Sequence, residues 1–122
     1  MSRDVEIAVI DDDESFRIAL VESLSSLGYR SHGFASAESY LQTAKSKSFN
    51  CVITDVHMHG MSGLDLTKRL SGTGSAPPVV LITARSEANL EAKAAAAGAR
   101  CLLRKPFEIN DLIGCIEAVV KA

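Results

Sequence analysis

The chain has 122 residues, of which 47% are hydrophobic and 5% aromatic, and its formal net charge is −2. This length predicts one domain, 1–122, with a core of mostly aliphatic side chains. A small negative charge without a long basic run argues against direct nucleic-acid contact by this domain. No stretch approaches the roughly 20 apolar residues of a membrane span, and the N-terminal apolar run is too short for a signal peptide. We therefore expect a soluble, cytoplasmic protein without membrane contact.

Strand and helix patterns alternate along the whole chain. Short apolar runs that are separated by helical patterns are typical of buried parallel strands. Ser36 and Ser86 are predicted helix starts, whereas Gly28 and Gly98 are predicted helix ends. The alternation predicts an α/β fold, a (βα)5 doubly wound parallel sheet with helices on both faces. The predicted strands are 5–10, 29–34, 51–54, 79–83 and 101–104, and the predicted helices are 14–27, 36–46, 64–71, 86–97 and 108–121.

Polar residues with complementary chemistry follow four of the predicted strands. Asp11 and Asp12 follow the first strand, Asp55 the third, Thr83 ends the fourth, and Lys105 follows the fifth. In an open α/β sheet, ligands bind beyond the carboxyl ends of the strands. Clustered carboxylates repel each other and cost stability unless a cation binds. With a hydroxyl and an ammonium beside them, they suit a hard divalent cation, Mg²⁺ or Mn²⁺, next to a phosphoryl group.

Asp55 is the candidate nucleophile of this set. A carboxylate can accept a phosphoryl group and form an aspartyl phosphate. That chemistry needs little beyond in-line positioning and charge neutralisation. The cation and Lys105 would each balance charge on a phosphoryl oxygen, and the Thr83 hydroxyl would donate to another. We expect Asp13 and Glu14, in contrast, to cap the first helix.

Four segments resemble the response-regulator receiver domains of bacterial two-component signalling. They are VIDDDES (9–15), VITDVHMHGMSG (52–63), LITAR (81–85) and LLRKPFE (102–108), and the resemblance extends over essentially the whole chain. It implies a flavodoxin-like sheet with the strand order 2-1-3-4-5. It also implies that a sensor histidine kinase or phosphotransfer protein transfers a phosphoryl group from its phosphohistidine to Asp55.

The resemblance assigns a metal site to the same residues. It implies that Mg²⁺ is bound by Asp12, Asp55 and the backbone carbonyl of His57. Asp11 would act indirectly, through water or through Lys105. In this family the domain catalyses its own phosphorylation and slow dephosphorylation, and it is a signalling switch rather than an enzyme with an external substrate.

The resemblance also assigns roles around the phosphoryl group. It implies that Thr83 and Lys105 sense the phosphoryl group and that the peptide bond before Pro106 is cis. His57 and Arg85 occupy the two positions that flank the phosphoryl group in receiver domains. Both are bulky and potentially cationic, so we expect them to shield an acyl phosphate from water.

Two positions depart from the family pattern. The family usually has a proline where this chain has His59, so we expect a more mobile loop beyond Asp55. It usually has Tyr or Phe at the switch position, three residues before the lysine, where this chain has Leu102. The aromatic rotamer switch is therefore absent or altered. We still expect phosphorylation to change the family's output surface on helix 4, strand 5 and helix 5, which often forms homodimers, by a shift of helix 4.

Other functions compete with this interpretation. A phosphatase of the haloacid dehalogenase type would use Asp11 as its nucleophile, since 11–15 fits the DxDx[ST] pattern, but the chain is short for that fold. A flavin binder would need a phosphate-binding loop after the first strand, where the acidic residues repel phosphate. A receiver-shaped interaction module that is never phosphorylated is the third alternative. A soft-metal site is not predicted, because its candidate ligands are loosely spaced: Cys51, His57 and His59.

Overall fold

The structure, a computed structural model, describes residues 4–120, which contain five strands and five helices. None of the helices in this part of the chain has the length and apolar character needed to span a bilayer. The strands are β1 (Glu6–Ile10), β2 (Arg30–Phe34), β3 (Cys51–Asp55), β4 (Val79–Thr83) and β5 (Cys101–Arg104). The helices are α1 (Glu14–Ser26), α2 (Ala37–Ala44), α3 (Gly63–Ser71), α4 (Leu90–Ala97) and α5 (Ile109–Val120).

All strands are parallel and lie in the order β2-β1-β3-β4-β5, which confirms the predicted fold class. The register aligns the carboxyl ends of the four strands that carry the candidate site residues. Asp55 pairs with Ile82 on β4, and Thr83 pairs with Arg104 on β5. The polar residues that end these strands therefore meet at one edge of the sheet.

Two apolar layers cover the two faces of the sheet. Along β1, Ala8 and Ile10 belong to one layer, whereas Ile7 and Val9 belong to the other. This alternation follows from the pleat of a strand that is buried on both sides. Helices α2, α3 and α4 complete the first layer, and their fully buried side chains include Tyr40, Leu66 and Leu90. Helices α1 and α5 complete the second layer, with Leu24 and Ile116 fully buried.

Several predicted helix ends are confirmed by capping contacts. The Asp13 carboxylate accepts a hydrogen bond from the Phe16 N–H, and the Ser36 hydroxyl accepts one from the Ser39 N–H. Gly98 ends α4 with a positive φ of 104°, which glycine adopts without steric cost. The other boundaries shift by one or two residues, and the predicted end of helix 5 at 121 lies outside the described residues.

The predicted start of helix 4 at Ser86 is wrong, because α4 begins at Leu90. Leu90 is fully buried and is the first apolar anchor of the helix, whereas Ser86 is exposed. Asn89 precedes it in the left-handed region with φ 65°, a conformation that asparagine tolerates better than most residues. Residues 84–89 therefore form an irregular loop between β4 and α4.

Candidate functional site

A half-buried lysine joins two of the predicted carboxylates. The Lys105 Nζ lies 3.0 Å from Asp11 Oδ2 and 3.4 Å from Asp55 Oδ2. The Asp11 side chain is fully buried, whereas 13% of the Asp55 side chain is exposed. The ring of Phe16 lies under the same ammonium, at 3.9 Å. The sheet thus brings residues from β1, β3 and β5 into one ion-pair cluster.

Burial and neighbouring charges shift the pKa values of Asp11 and Lys105. Burial raises the pKa of Asp11, and the neighbouring Asp55 charge adds to the rise, although the Asp13 N–H and Lys105 act against it. Burial alone would lower the pKa of Lys105, but the Asp11 and Asp55 carboxylates outweigh it and raise that pKa. Both pKa values rise, so the ion pair does not compensate Asp11 for its burial. The negative charge at Asp11 is therefore the costly charge of the cluster.

Asp12 is held by the loop that follows β3. Its Oδ2 accepts a hydrogen bond from the His59 backbone N–H at 3.1 Å and lies 3.0 Å from His59 Nδ1. These contacts, first the backbone N–H and then the imidazole, lower the pKa of Asp12. The Asp12 side chain is 32% exposed, so it is accessible from solvent.

The loop between β3 and α3 has further anchors. The His57 N–H donates to Asp55 Oδ1 at 3.3 Å, and the Met61 N–H donates to Glu38 Oε2 on α2 at 3.0 Å. A Cβ at Gly63 would collide with the carbonyl oxygen of Asp55, so only glycine permits this approach of the loop to the strand end. Greater mobility of this loop, expected from His59, stays a prediction.

The hydroxyl of Thr83 is engaged by the loop between β4 and α4. It accepts a hydrogen bond from the Arg85 N–H at 3.0 Å and lies 3.3 Å from the Arg85 carbonyl oxygen. The same carbonyl accepts from Arg104 Nη1 at 3.2 Å, and Arg104 Nη2 lies 3.6 Å from Glu91 Oε2 on α4. A continuous set of contacts therefore joins Thr83, through Arg85 and Arg104, to the first turn of α4.

An open cavity of about 470 Å³ lies beside these loops. His57 and Arg85 both contribute to its wall, whereas Asp55 is not among the lining residues, and the expectation that His57 and Arg85 flank a phosphoryl group stays a prediction. His57 Nε2 lies 3.2 Å from Glu87 Oε2, but the contact lacks the alignment of a hydrogen bond. The complete lining of the cavity is Asp12, His57, Met58, His59, Ser62 and Arg85.

The donor atoms at this edge fit a hard divalent cation. Among residues 4–120, no three His, Cys, Asp or Glu side chains are already arranged to hold a metal ion. Mg²⁺, however, keeps several water molecules and needs only one or two protein carboxylates. Asp12 and Asp55 would supply these, and the His57 carbonyl would add an oxygen. The Lys105 ammonium is shared by the Asp11 and Asp55 carboxylates, and the charge of Asp55 contributes to the raised pKa of Asp11.

The remaining predicted residues lie on or next to β5. The Lys105–Pro106 peptide bond is cis. Leu102 is half-buried and packs against the apolar layer that contains α4. It lies two residues before Arg104, so the switch position and the contact to the Arg85 carbonyl share one strand.

Three contacts of the site were missed by sequence reasoning. Glu38 has no role in the sequence interpretation, His59 enters it as a departure from the family pattern and as a loosely spaced metal-ligand candidate, and Arg104 enters it as part of a strand. No spacing or motif in the sequence indicates that Glu38 reaches Met61 or that His59 reaches Asp12. The only available signal for Arg104 was its position, one residue before Lys105.

The fold and the arrangement of strand-end residues define a receiver. The family described as "Response regulator receiver domain" matches residues 7–117, so the chain belongs to the response-regulator receiver family. This confirms the resemblance on which the sequence interpretation depended.

Individual relatives agree with this assignment. The chain is similar to the transcriptional regulatory protein FixJ of Bradyrhizobium diazoefficiens, with 36% identity over 94% of this chain and 56% of that protein. It is 35% identical to the response regulator protein TmoT of Ectopseudomonas mendocina, over 94% of this chain and 52% of that protein. The chain thus spans about half the length of these curated relatives.

Solved structures show the same architecture. The crystal structure of FixJ-N superposes with a TM-score of 0.88 at 29% identity and covers 96% of this chain and 94% of that chain. A response regulator receiver protein from Burkholderia phymatum has a TM-score of 0.85 at 37% identity, with 96% and 95% covered. The similarity therefore includes nearly all of this chain.

Proposed function

We propose that this receiver takes a phosphoryl group onto Asp55 from the phosphohistidine of a sensor histidine kinase or phosphotransfer protein. A carboxylate oxygen of Asp55 attacks phosphorus, the P–N bond to the donor imidazole breaks, and the imidazole leaves with the bonding electron pair. The observation that carries the proposal is the Lys105 bridge. It places one ammonium against two carboxylates, of which Asp11 is fully buried and Asp55 keeps 13% of its side chain exposed.

Side chains of this chain would stabilise the negative charge of the transferred phosphoryl group. The Lys105 ammonium lies within 3.4 Å of Asp55 and can move its second contact from Asp11 to a phosphoryl oxygen. The Thr83 hydroxyl would leave the Arg85 backbone and donate to another phosphoryl oxygen. The proposed metal ligands are Asp12, Asp55 and the His57 carbonyl, with Asp11 acting indirectly. When bound there, Mg²⁺ or Mn²⁺ neutralises charge on the phosphoryl group.

The contacts of Thr83 supply a route to the output surface. If its hydroxyl turns towards the phosphoryl group, the Arg85 backbone loses both bonds to it. Arg104 then remains as the contact between that backbone and Glu91 on α4. We propose that residues 84–89 and α4 shift as a result, and that this changes a partner-binding surface on α4, β5 and α5. A second copy of the receiver is one partner that such a surface accommodates.

The burial of Asp11 weighs against the dehalogenase-type alternative. A nucleophile must reach its substrate, whereas the Asp11 side chain is fully buried and already bound to Lys105. The proposal covers the receiver alone, since the named relatives are about twice as long. It places the receiver in the cytoplasm, with its phosphodonor.

Mass measurement after phosphoryl donation tests the proposal. The wild-type protein, treated with acetyl phosphate and Mg²⁺, should gain one phosphoryl group by intact mass, and Asp55→Asn should gain none. Full labelling of Asp55→Asn together with loss of labelling in Asp11→Asn would favour the dehalogenase-type mechanism. A wild-type protein that neither acetyl phosphate nor a phosphohistidine donor labels would be an unphosphorylated interaction module.

A further inference from the structure

Three backbone N–H groups in the loop between β3 and α3 each donate to a carboxylate from a different part of the fold. They lie at alternate positions of the loop, and their acceptors come from the end of β3, the segment before α1 and the first turn of α2. The bonds join His57 to Asp55 Oδ1 at 3.3 Å, His59 to Asp12 Oδ2 at 3.1 Å and Met61 to Glu38 Oε2 at 3.0 Å. The path of this loop is therefore set by three separate anchors.

Two of the three anchors belong to residues of the proposed chemistry. Asp55 would accept the phosphoryl group and Asp12 would bind the cation, so both carboxylates gain new partners when the receiver is phosphorylated. Glu38, in contrast, is not part of the wall of the cavity beside the site. Its bond to the Met61 N–H is therefore the one anchor of the three that can stay unchanged through the reaction.

The Glu38 carboxylate fits closely against the backbone of the loop. Besides its bond to Met61, it lies against Gly60, where an added Cβ would come within 2.8 Å of Glu38 Oε2. The Met61 N–H lowers the pKa of Glu38, so the acceptor is ionised at neutral pH. A hydrogen bond to an ionised acceptor is stronger than a neutral one. The loop thus has a charge-assisted contact with α2 outside the site itself.

We propose that Glu38 is a positioning residue for the phosphorylation of Asp55. It holds the loop, including the backbone carbonyl that is proposed as a cation ligand, while the two site carboxylates take up the phosphoryl group and the cation. The inference rests on the proposed function, and Glu38 itself would not touch the phosphoryl group. A purely structural role is the alternative, because an acidic residue in the first turn of α2 also stabilises that helix.

The rate of labelling by acetyl phosphate and Mg²⁺, followed by intact mass at several acetyl phosphate concentrations, separates the two roles. Glu38→Ala should lower the maximal rate by about tenfold, since a displacement of about 1 Å at a reacting group can cost about a hundredfold. The acetyl phosphate concentration that gives half of the maximal rate should not change, because Glu38 does not line the cavity. Glu38→Gln, whose amide oxygen can still accept from the Met61 N–H, should restore most of the rate.

The matched control is Ser36→Ala, which weakens the start of the same helix without touching the loop. The Ser36 hydroxyl accepts from the Ser39 N–H at 3.0 Å and caps α2. This control should be labelled at the wild-type rate, and melting curves should show that all variants are folded. Equal slowing by Ser36→Ala and Glu38→Ala would overturn the proposal. So would a wild-type rate in Glu38→Ala, or a rate in Glu38→Gln as low as that in Glu38→Ala.

Amide hydrogen exchange of the wild-type protein, with and without beryllofluoride as a mimic of the phosphoryl group, tests the anchor without any substitution. The Met61 amide should stay protected from exchange when the mimic binds. Loss of this protection would overturn the proposal, because the anchor would then not persist. Failure of the proposed function would appear separately, as a wild-type protein that neither acetyl phosphate nor a phosphohistidine donor labels at Asp55, and it would remove both proposals.

Discussion

The two sides of the strand edge differ in burial and in the kind of contact that holds them. On one side, Lys105 is enclosed between Asp11 and Asp55, with exposed side-chain fractions of 17%, 0% and 13%. On the other, the Thr83 hydroxyl touches an exposed loop, and Arg104 and Glu91 are 42% and 77% exposed. The first side is a buried charge cluster, whereas the second is a set of neutral or solvent-exposed contacts.

This difference suits a division of the proposed function, with phosphoryl transfer on the first side and detection of the phosphoryl group on the second. Asp11, Asp55 and Lys105 would supply the charged environment for the proposed phosphoryl transfer, in which Lys105 exchanges its contact with Asp11 for one with a phosphoryl oxygen. Solvent-exposed ion pairs are worth about 0–1 kcal/mol, so the contacts of Arg104 can change at little cost. The same phosphoryl group would therefore be stabilised on one side and detected on the other.

Removal of Lys105 should cause the largest loss of stability on the side of the site that contains Asp11 and Asp55. In Lys105→Ala, the Asp11 charge stays buried without its partner, so we expect unfolding to become easier by about 3 kcal/mol. Chemical denaturation measures this loss. The matched control is Lys47→Ala, whose 3.3 Å pair with Glu6 is more exposed and should cost at most about 1 kcal/mol. Equal effects of the two variants would show that the buried cluster contributes no more than a surface pair.

Cation binding should stabilise the same side. Mg²⁺ at one hundred times its Kd should raise the free energy of unfolding of wild type by about 2.7 kcal/mol. Asp12→Ala should lose this gain. Because the Asp12 carboxylate accepts a hydrogen bond from the His59 N–H, its removal should not raise the melting temperature without metal. A wild-type melting temperature that does not change in millimolar-range Mg²⁺ would contradict the proposed cation site.

The pH dependence of stability should reveal the cost of the Asp11 charge. The pKa of Asp11 is raised in the folded protein, so the folded state holds this proton more tightly than the unfolded state. Wild type therefore loses stability from this group as pH rises from the ordinary value of 3.8 through the raised pKa. We expect the free energy of unfolding of Asp11→Asn to increase relative to that of wild type over this pH range. Chemical denaturation in the presence of a chelator measures the difference.

A carboxylate with the opposite shift provides the control for that measurement. The Met61 N–H lowers the pKa of Glu38, so its contribution is present above the ordinary value of 4.5 and is lost as pH falls. Glu38→Gln should therefore lose stability relative to wild type as pH rises. If both variants followed wild type in parallel at all pH values, neither carboxylate would contribute as its environment indicates.

The smallest expected effect concerns the wall of the cavity. Arg85 and His57 would flank the proposed phosphoryl group, and their bulk should hinder the approach of water. Arg85→Ala should lose its phosphoryl group a few times faster than wild type, which corresponds to roughly 1 kcal/mol or less in the barrier. Intact mass followed over time gives both rates. Identical decay would remove this role from Arg85.

The sequence was most informative where chemistry depends on strand ends. Asp11, Asp55, Thr83 and Lys105 each end or follow an apolar run, and parallel pairing alone brings such residues together. The start of helix 4 was predicted wrongly because Ser86 is a plausible cap, whereas the buried anchor Leu90 decides where the helix begins.

The contacts that the loop after β3 makes with other elements could not be predicted from the sequence. The bond from His59 to Asp12 joins residues 47 apart in the chain, and that from Met61 to Glu38 joins residues 23 apart. Neither has a periodic pattern, because each depends on the path of the loop after β3. The role of Arg104 likewise depends on where the Arg85 carbonyl lies.

Backbone amide chemical shifts, with and without a beryllofluoride mimic of the phosphoryl group, test the central claim most directly. We predict changes in the loops after β1 and β3 and, in addition, through residues 84–89 into α4. In Arg104→Ala, the changes in α4 should become smaller while those around Asp55 persist. Changes that are confined to the loops after β1 and β3 in wild type, with α4 silent, would contradict the account and show that the Thr83 side of the site detects nothing.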